Sequence, residues 1–157
     1  MMNFDEYVVE TKSHSLSGVI LISDNMILLV RPKKFRRRMR KWSIPKGHIE
    51  AKLGKIKSAL KELEEESTIK LNKAHLKMGG KTILDYFKAG VAKKLICYIV
   101  NVERENLRNR RGSVTLINNM ILGNFLRGEI VEAGFFSKED AEKIIERHQI
   151  ELLKYLE

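Results

Sequence analysis

The sequence is poor in residues that cross-link or interrupt a chain. Its 157 residues include one cysteine, Cys97, and two prolines, and no low-complexity stretch marks a linker. A lone thiol excludes an internal disulfide, which suits the reducing cytoplasm. No apolar run approaches the roughly 20 residues of a membrane-spanning helix. Residues 1–10 lack a basic start followed by an apolar run, so we expect no signal peptide, no membrane association and a cytoplasmic location.

The overall composition is that of a globular protein with an excess of positive charge. Hydrophobic residues make up 43% and charged residues 32% of the chain, which argues against disorder. We therefore expect a single domain over residues 1–157. The formal net charge of +10 favours an anionic partner such as a polyphosphate, a nucleotide, RNA or an acidic membrane surface.

The most informative stretch is the acidic end of a predicted helix over Lys55–Ser67. Glu62, Glu65 and Glu66 stand at i, i+3 and i+4, so their side chains share one helix face. Three ionised carboxylates at this spacing repel one another unless a cation neutralises them. Magnesium fits this role because it takes oxygen ligands and accompanies phosphates. The opposite face is apolar and predicts packing on a core through Ile56, Ala59, Leu60 and Leu63.

A glycine stands upstream of this helix, in the loop Pro45-Lys46-Gly47. Together the loop and the helix resemble the Nudix hydrolase signature. That signature reads Gly, five residues, Glu, seven residues, Arg-Glu, an aliphatic residue, any residue, Glu-Glu, any residue, Gly and an aliphatic residue. The positions in register are Gly47, Glu62, Leu63, Glu65, Glu66 and Ile69. A solvated amphipathic helix is the alternative, but it does not explain the spacing from Gly47 or the preceding Trp42-Ser43-Ile44.

Three positions depart from this pattern. Leu53 stands in place of the first Glu, Lys61 in place of Arg and Thr68 in place of Gly. In the family, that first Glu and the Arg form a structural salt bridge, and here both partners are changed together, which is less damaging than one orphaned charge. Thr68 makes the helix-to-strand turn less certain, because glycine is the easy residue for a left-handed cap.

The segment Arg31–Lys41 is strongly basic, with eight Lys or Arg among its eleven residues. It leads directly into the signature, which predicts a phosphate-binding loop, since Arg offers bidentate contacts to phosphate oxygens. The alternatives are a solvated basic loop and an RNA-binding segment in which Phe35 stacks on a base. The predicted phosphate-binding residues of this part of the chain are Arg31, Lys33, Arg38 and Lys46.

A second resemblance lies in residues 84–102, LDYFKAGVAKKLICYIVNV. With the Pro45-Lys46-Gly47-His48 opening, this stretch is similar to the asymmetric diadenosine tetraphosphate hydrolase branch of the Nudix family. The branch has a Tyr and a Lys in this strand pair with roles in nucleotide and phosphate binding. The matching positions are Tyr86 and Lys94.

Three further segments carry predictions. The apolar runs of Ser17–Val30 flank Asp24-Asn25 and predict a buried hairpin. Residues 106–127 have partial helical spacing and are interpreted as a core segment, a helical insertion or a dimer contact. Glu129 precedes a predicted late strand, where related hydrolases place a metal-site or base carboxylate. Glu132 is the second choice for this role, and a solvated edge carboxylate is the alternative for both.

The Nudix resemblance implies an α/β/α sandwich with a mixed sheet, in the α/β class. It further implies a hydrolase dependent on Mg²⁺, for which Mn²⁺ can substitute, that cleaves a nucleoside polyphosphate such as a diadenosine polyphosphate. The Gly47 carbonyl and the three Glu side chains would hold the metal, and one of those Glu residues or Glu129 would accept the water proton. The alternatives are an RNA 5′ pyrophosphohydrolase, an inositol pyrophosphate phosphatase and a degenerate Nudix domain that binds nucleic acid. The sequence leaves the oligomeric state open.

Overall fold

A computed structural model describes residues 14–36, 38–122 and 130–157. Its strands are β1 (Ser15–Ser23), β2 (Met26–Pro32), β3 (Lys46–His48), β4 (Gly80–Lys88), β5 (Val91–Asn101), β6 (Arg108–Asn109), β7 (Gly112–Ser113), β8 (Leu116–Ile117), β9 (Met120–Ile121) and β10 (Ile130–Phe136). Its α-helices are α1 (Gly54–Ser67), α2 (Lys73–Met78) and α3 (Lys138–Ile144), and short 3₁₀ helices cover Arg104–Asn106 and Arg147–Tyr155.

The predicted first hairpin is present. Strands β1 and β2 are antiparallel and join at Asp24-Asn25, whose φ angles of 53° and 56° suit the turn that matches the twist of a hairpin. Nearly every residue of β1 is buried, because the strand lies between two packed layers. Strand β2 ends at Pro32, which cannot donate a hydrogen bond to a neighbouring strand.

Most of the described strands form one mixed sheet, in the order β4-β5-β1-β2-β10-β9-β8, while β6 and β7 pair separately. Strands β1 and β5 run parallel, and the other pairs are antiparallel. Strand β3 pairs with the beginning of β1, where Gly47 lies opposite Ser17. The beginning of β1 is therefore flanked by β3 and by β5.

Both faces of the sheet are covered, which confirms the α/β sandwich. On one face, Val19 and Leu21 pack with Ala59 and Leu63 of α1. On the other face, Ile20 and Ile22 pack with a C-terminal layer whose buried members are Ala141, Ile145, Leu152, Leu153 and Leu156. Side chains of a strand alternate between faces, so β1 contributes to both cores.

Helix α1 begins one residue before the predicted start and ends at the predicted Ser67. Thr68 caps it in the left-handed conformation, with φ 70°, and its N–H donates to the Glu64 carbonyl. The turn that glycine would make is thus made by a threonine at a conformational cost.

The helical interpretation of residues 106–127 needs correction. Residues 108–121 form the short strands β6 to β9 instead of a helix, and the core interpretation holds only in part, because Leu107 and Ile121 are buried while Ile117 is exposed. Residues 123–127 of the same stretch lie outside the described residues. The apolar C-terminal segment is divided into α3 and a 3₁₀ helix, because the backbone is extended at Ile145. Within the described ranges, no helix is long and apolar enough to cross a membrane.

Candidate active site

Gly47 and Glu62 approach each other so closely that no side chain fits between them. A Cβ atom at position 47 would lie 2.2 Å from Cδ of Glu62 and 2.3 Å from its Oε1. Glu62 is 7% exposed although it is acidic. The close approach explains the requirement for glycine here, since the loop backbone and the Glu62 carboxyl group share one site.

Glu66 reaches the same loop from the next turn of α1. Its Oε1 accepts a hydrogen bond of 2.9 Å from the backbone N–H of Lys46. Two carboxylates one helical turn apart therefore contact adjacent residues of β3. This arrangement follows from their i, i+4 spacing, which aligns both side chains along one helix face.

Glu65 belongs to a network that the sequence did not predict. Lys61 Nζ lies 2.9 Å from Oε1 of Glu50 and 3.9 Å from Oε1 of Glu65. Glu50 stands three residues before Leu53, so the carboxylate partner of Lys61 comes from the loop instead of the usual signature position. The Glu50 backbone is fixed as well, because its N–H donates to Ser58 Oγ at 3.0 Å. The nearby acidic residue was the signal that sequence reasoning passed over.

The cluster's donor chemistry fits a hard divalent cation. Glu62 and Glu66 converge on the loop of Gly47, and carboxylate oxygens suit Mg²⁺ and Mn²⁺. In the described ranges, no three His, Cys, Asp or Glu side chains already form a set that would hold a metal ion. This agrees with the engagement of Glu66 by Lys46 N–H and of Glu65 by Lys61.

Glu64 points away from this cluster. Its carboxylate accepts hydrogen bonds of 2.9 and 3.2 Å from Arg110, in the turn between β6 and β7. The hydrogen bond from Arg110 lowers the pKa of Glu64. The fourth acidic residue of the helix is thus tied to a surface hairpin, which separates it in space from Glu62, Glu65 and Glu66.

In the basic loop, Arg31 differs from its neighbours because it forms an ion pair with Glu132. Arg31 Nε and Nη2 donate to Oε1 of Glu132 on β10 at 2.9 and 2.7 Å, and Nη1 donates to the Phe35 carbonyl. The two ionic side chains are only 13% and 15% exposed. Lys33 and Arg38, by contrast, are exposed. Arg31 and Glu132 therefore connect two strands.

Glu129, the preferred carboxylate of the late strand, lies outside the described residues. Glu132, the second choice, is the ion-pair partner of Arg31. The role of Glu129 therefore stays a prediction, while Glu132 is engaged by Arg31.

The pairing of β4 with β5 brings Tyr86 to Lys93. Tyr86 lies directly opposite Lys93, and Asp85 lies opposite Lys94. Directly paired residues share a sheet face, and adjacent residues point to opposite faces. Tyr86 and Lys94, which the sequence analysis grouped together, are therefore on opposite faces. Only the strand register shows that Lys93 shares a sheet face with Tyr86, because the sequence does not distinguish two successive lysines.

A cavity of about 800 Å³ opens at the beginning of β1. It is lined by residues of the β4–β5 hairpin, including Tyr86, Phe87, Lys93 and the predicted Lys94, and by His14. The Tyr86 ring stacks on His148, with ring centroids 3.8 Å apart and planes 13° apart. Burial and the nearby Glu146 raise the pKa of Tyr86 to about 12, so the phenol stays neutral. One face of the ring is thus already covered by a protein side chain.

Lys46 connects the acidic cluster with this cavity. Burial lowers the pKa of its ammonium group, while the carboxylates of Glu146 and Glu66 raise it and the charge of Lys93 lowers it further. The pKa of His48 is also lowered, by burial and then by Lys93. The Lys46 backbone therefore contacts Glu66 on the α1 side, while its ammonium group lies within electrostatic reach of Glu146 and Lys93 on the side of the C-terminal layer.

Comparison with known proteins decides the family. The sequence matches the NUDIX domain family model over residues 12–156. The chain belongs to the Nudix family. The Nudix assignment makes it a pyrophosphohydrolase, of a family that acts on nucleoside diphosphate derivatives and generally uses divalent metal ions. No curated protein matches the sequence.

Solved Nudix structures share the fold of the chain. A C. elegans Ap4A hydrolase in a binary complex is 17% identical, with a TM-score of 0.60 over 89% of this chain and 92% of that one. A NUDIX hydrolase from Nitrosomonas europaea is 17% identical, with a TM-score of 0.60 over 92% and 87% of the two chains. A bifunctional NMN adenylyltransferase/ADP ribose pyrophosphatase from Francisella tularensis, complexed with AMP and an Mn ion, is 17% identical. Its TM-score is 0.63 over 94% of this chain and 45% of that longer one.

Proposed function

We propose that this Nudix protein is a magnesium-dependent hydrolase of dinucleoside polyphosphates such as diadenosine tetraphosphate. The observation that carries the proposal is the cavity of about 800 Å³ at the beginning of β1, which presents an aromatic ring, Tyr86, together with two lysines, Lys93 and Lys94. A nucleoside needs an apolar surface for its base and cations for its phosphates, and this cavity offers both. The resemblance to the asymmetric hydrolase branch and the likeness in fold to an Ap4A hydrolase support the same substrate class.

The metal would be held by the Gly47 carbonyl together with Glu62, Glu65 and Glu66. When bound, a divalent cation supplies a water of lowered pKa and neutralises charge on the diphosphate bridge. The protein contributes the placement of these ligands. Glu62 is packed against Gly47, Glu66 is aligned by the Lys46 N–H, and Glu65 is drawn toward Lys61.

The remaining phosphates would be held by Lys46 and by the exposed part of the basic loop, Lys33 and Arg38. On β5 we assign the phosphate-binding role to Lys93, which shares a sheet face with Tyr86, and to Lys94, which lines the same cavity. The nucleoside base would stack on the Tyr86–His148 pair, which already presents a rigid aromatic surface. The water proton would pass to a Glu of the cluster or to Glu129.

The test is product analysis of diadenosine tetraphosphate hydrolysis by anion-exchange chromatography, with magnesium and with a chelator. We expect ATP and AMP in equal amounts, and only when magnesium is present. Glu66→Gln should abolish turnover while the far-ultraviolet circular dichroism spectrum stays unchanged. Glu142→Gln, an exposed change on α3 that removes the same charge, serves as the matched control and should keep full turnover.

Folded protein that leaves the substrate intact would exclude diadenosine tetraphosphate. Triphosphorylated RNA and inositol pyrophosphates would then be the next substrates, because they share the polyanionic character that the basic loop fits. Turnover that survives Glu66→Gln would exclude the metal assignment itself.

A further inference from the structure

A second cavity, of about 430 Å³, lies beyond Tyr86 on the side of the C-terminal layer. We call it the basic groove. The basic loop, the end of β4 and the beginning of the C-terminal 3₁₀ helix form its walls, and the charged or titratable residues that line it are Arg40, Lys41, Lys88, Glu146, Arg147 and His148. The family comparison and the sequence resemblance assign no role to this set.

The charges of the basic groove are unbalanced. Four of its lining residues are Lys or Arg, and Glu146 is its one acidic residue in the described part of the chain. Glu146 is only 6% exposed, and its Oε1 lies 3.0 Å from Lys88 Nζ. Its Oε2 lies 3.4 Å from His148 Nε2. The single carboxylate therefore pairs with Lys88, and the described lining offers Arg40, Lys41 and Arg147 no second carboxylate.

Arg40 and Arg147 are examples of the excess positive charge in the groove. Neither has an ion pair with a carboxylate among the residues that the structure describes. Arg40 Nη1 is buried and makes no hydrogen bond to any described residue. A buried donor of a charged group costs free energy when it has no acceptor. An anion in the groove would supply that acceptor.

The basic groove is continuous with the proposed substrate site. Its inner wall is His148, whose ring stacks on Tyr86, and Tyr86 lines the larger cavity. Lys46 lies within the electrostatic reach of both Glu66, at the acidic cluster, and Glu146, in the groove. A ligand whose base lies on the aromatic pair can therefore place a phosphate on either side of that pair.

We propose that the basic groove binds phosphate groups that lie outside the diphosphate bridge being hydrolysed. This inference rests on the proposed function for the identity of the bridge. The phosphates have two possible sources, a further phosphate of the bound substrate or a free phosphate anion from solution. Both would be recognised by the same guanidinium and ammonium donors.

The first experiment measures binding without turnover. Isothermal titration calorimetry follows inorganic tripolyphosphate as it binds the full chain in the presence of a chelator. Lys41→Ala combined with Arg147→Ala should weaken the Kd roughly tenfold, since two charged contacts are lost. The matched control is Lys73→Ala with Lys77→Ala, two exposed lysines on α2 in the opposite layer, which should change the Kd by less than about twofold.

Glu146→Gln should change the Kd in the opposite direction. It keeps the shape of the side chain and removes the negative charge of the groove, so tripolyphosphate should bind several-fold more tightly. A variant that merely damaged the fold would bind more weakly. Equal Kd values for wild type and for the Lys41/Arg147 variant, or weaker binding by Glu146→Gln, would overturn the proposal.

The second experiment identifies the source of the phosphate. A rise in KM for diadenosine tetraphosphate in the Lys41/Arg147 variant, at unchanged kcat, supports a phosphate of the substrate. An unchanged KM, with inhibition by orthophosphate that the variant abolishes, supports the free anion. If no nucleotide is hydrolysed at all, the proposed function fails, while the chelated binding experiment still decides the groove.

Discussion

The contact between Gly47 and Glu62 provides the sharpest test of the site. Gly47→Ala would place a Cβ atom 2.2 Å from Cδ of Glu62. An ordinary carbon–carbon contact needs about 3.5 Å, so the Glu62 carboxyl group must move by roughly 1.3 Å. Displacement of a catalytic group by about 1 Å costs on the order of 100-fold in rate. We therefore expect kcat to fall at least that far, while overpacking lowers the free energy of unfolding by about 1–3 kcal/mol.

Two companion variants separate packing from chemistry. Gly80→Ala is the matched control, because its Cβ would meet only Ile99 Cδ1, at an ordinary 3.5 Å. Gly47→Ala with Glu62→Ala removes the clashing atoms, so stability should recover while turnover stays absent. Urea denaturation and initial-rate kinetics give both quantities. Wild-type stability and turnover in Gly47→Ala would show that Glu62 has room to move, and would refute the reasoning.

Three further predictions concern other positions. Thr68→Gly should raise the free energy of unfolding by about 1 kcal/mol, because glycine adopts the left-handed φ of 70° without strain. An unchanged urea midpoint would contradict this stabilisation. Burial raises the pKa of Cys97 from 9.0 to about 12, so a thiol reagent at pH 8 should label only urea-unfolded protein. Since the unfolded thiol loses its proton first, this group should also lower stability above about pH 9, and Cys97→Ala should remove that slope. Arg31→Ala should lower the free energy of unfolding by about 2 kcal/mol, because it breaks the pair with Glu132. The control Lys33→Ala should change the free energy of unfolding by less than about 0.5 kcal/mol. Equal losses in the two variants would refute a structural role for Arg31.

The local elements were predictable because their signals are local. Asp24-Asn25 between two apolar runs determines a hairpin through the backbone conformations that these residues tolerate. The apolar stripe of α1 and the i, i+3, i+4 spacing of its Glu residues depend only on helix geometry. The helical alternative for residues 106–127 is wrong over residues 108–121, because partial periodicity cannot distinguish a helix from a run of short strands.

The acidic cluster was determined by the sequence itself. Spacing from Gly47 to Glu62 and Glu66 fixes which carboxylates face the loop, since a helix of known period projects them together. The lone cysteine and the excess of basic residues likewise needed no coordinates. These features depend on residue identity and on separations along one element.

Only the tertiary structure decided which distant residues meet. The register of β4 with β5 places Lys93 on the sheet face of Tyr86 and Lys94 on the other, since a shift of one residue reverses the face. Glu132 was drawn to Arg31 by the pairing of β10 with β2, and Glu50 to Lys61 by the fold of one loop. The basic groove joins residues over 100 positions apart in the chain. Such contacts arise from strand pairing and layer packing, which no short-range pattern in the sequence encodes.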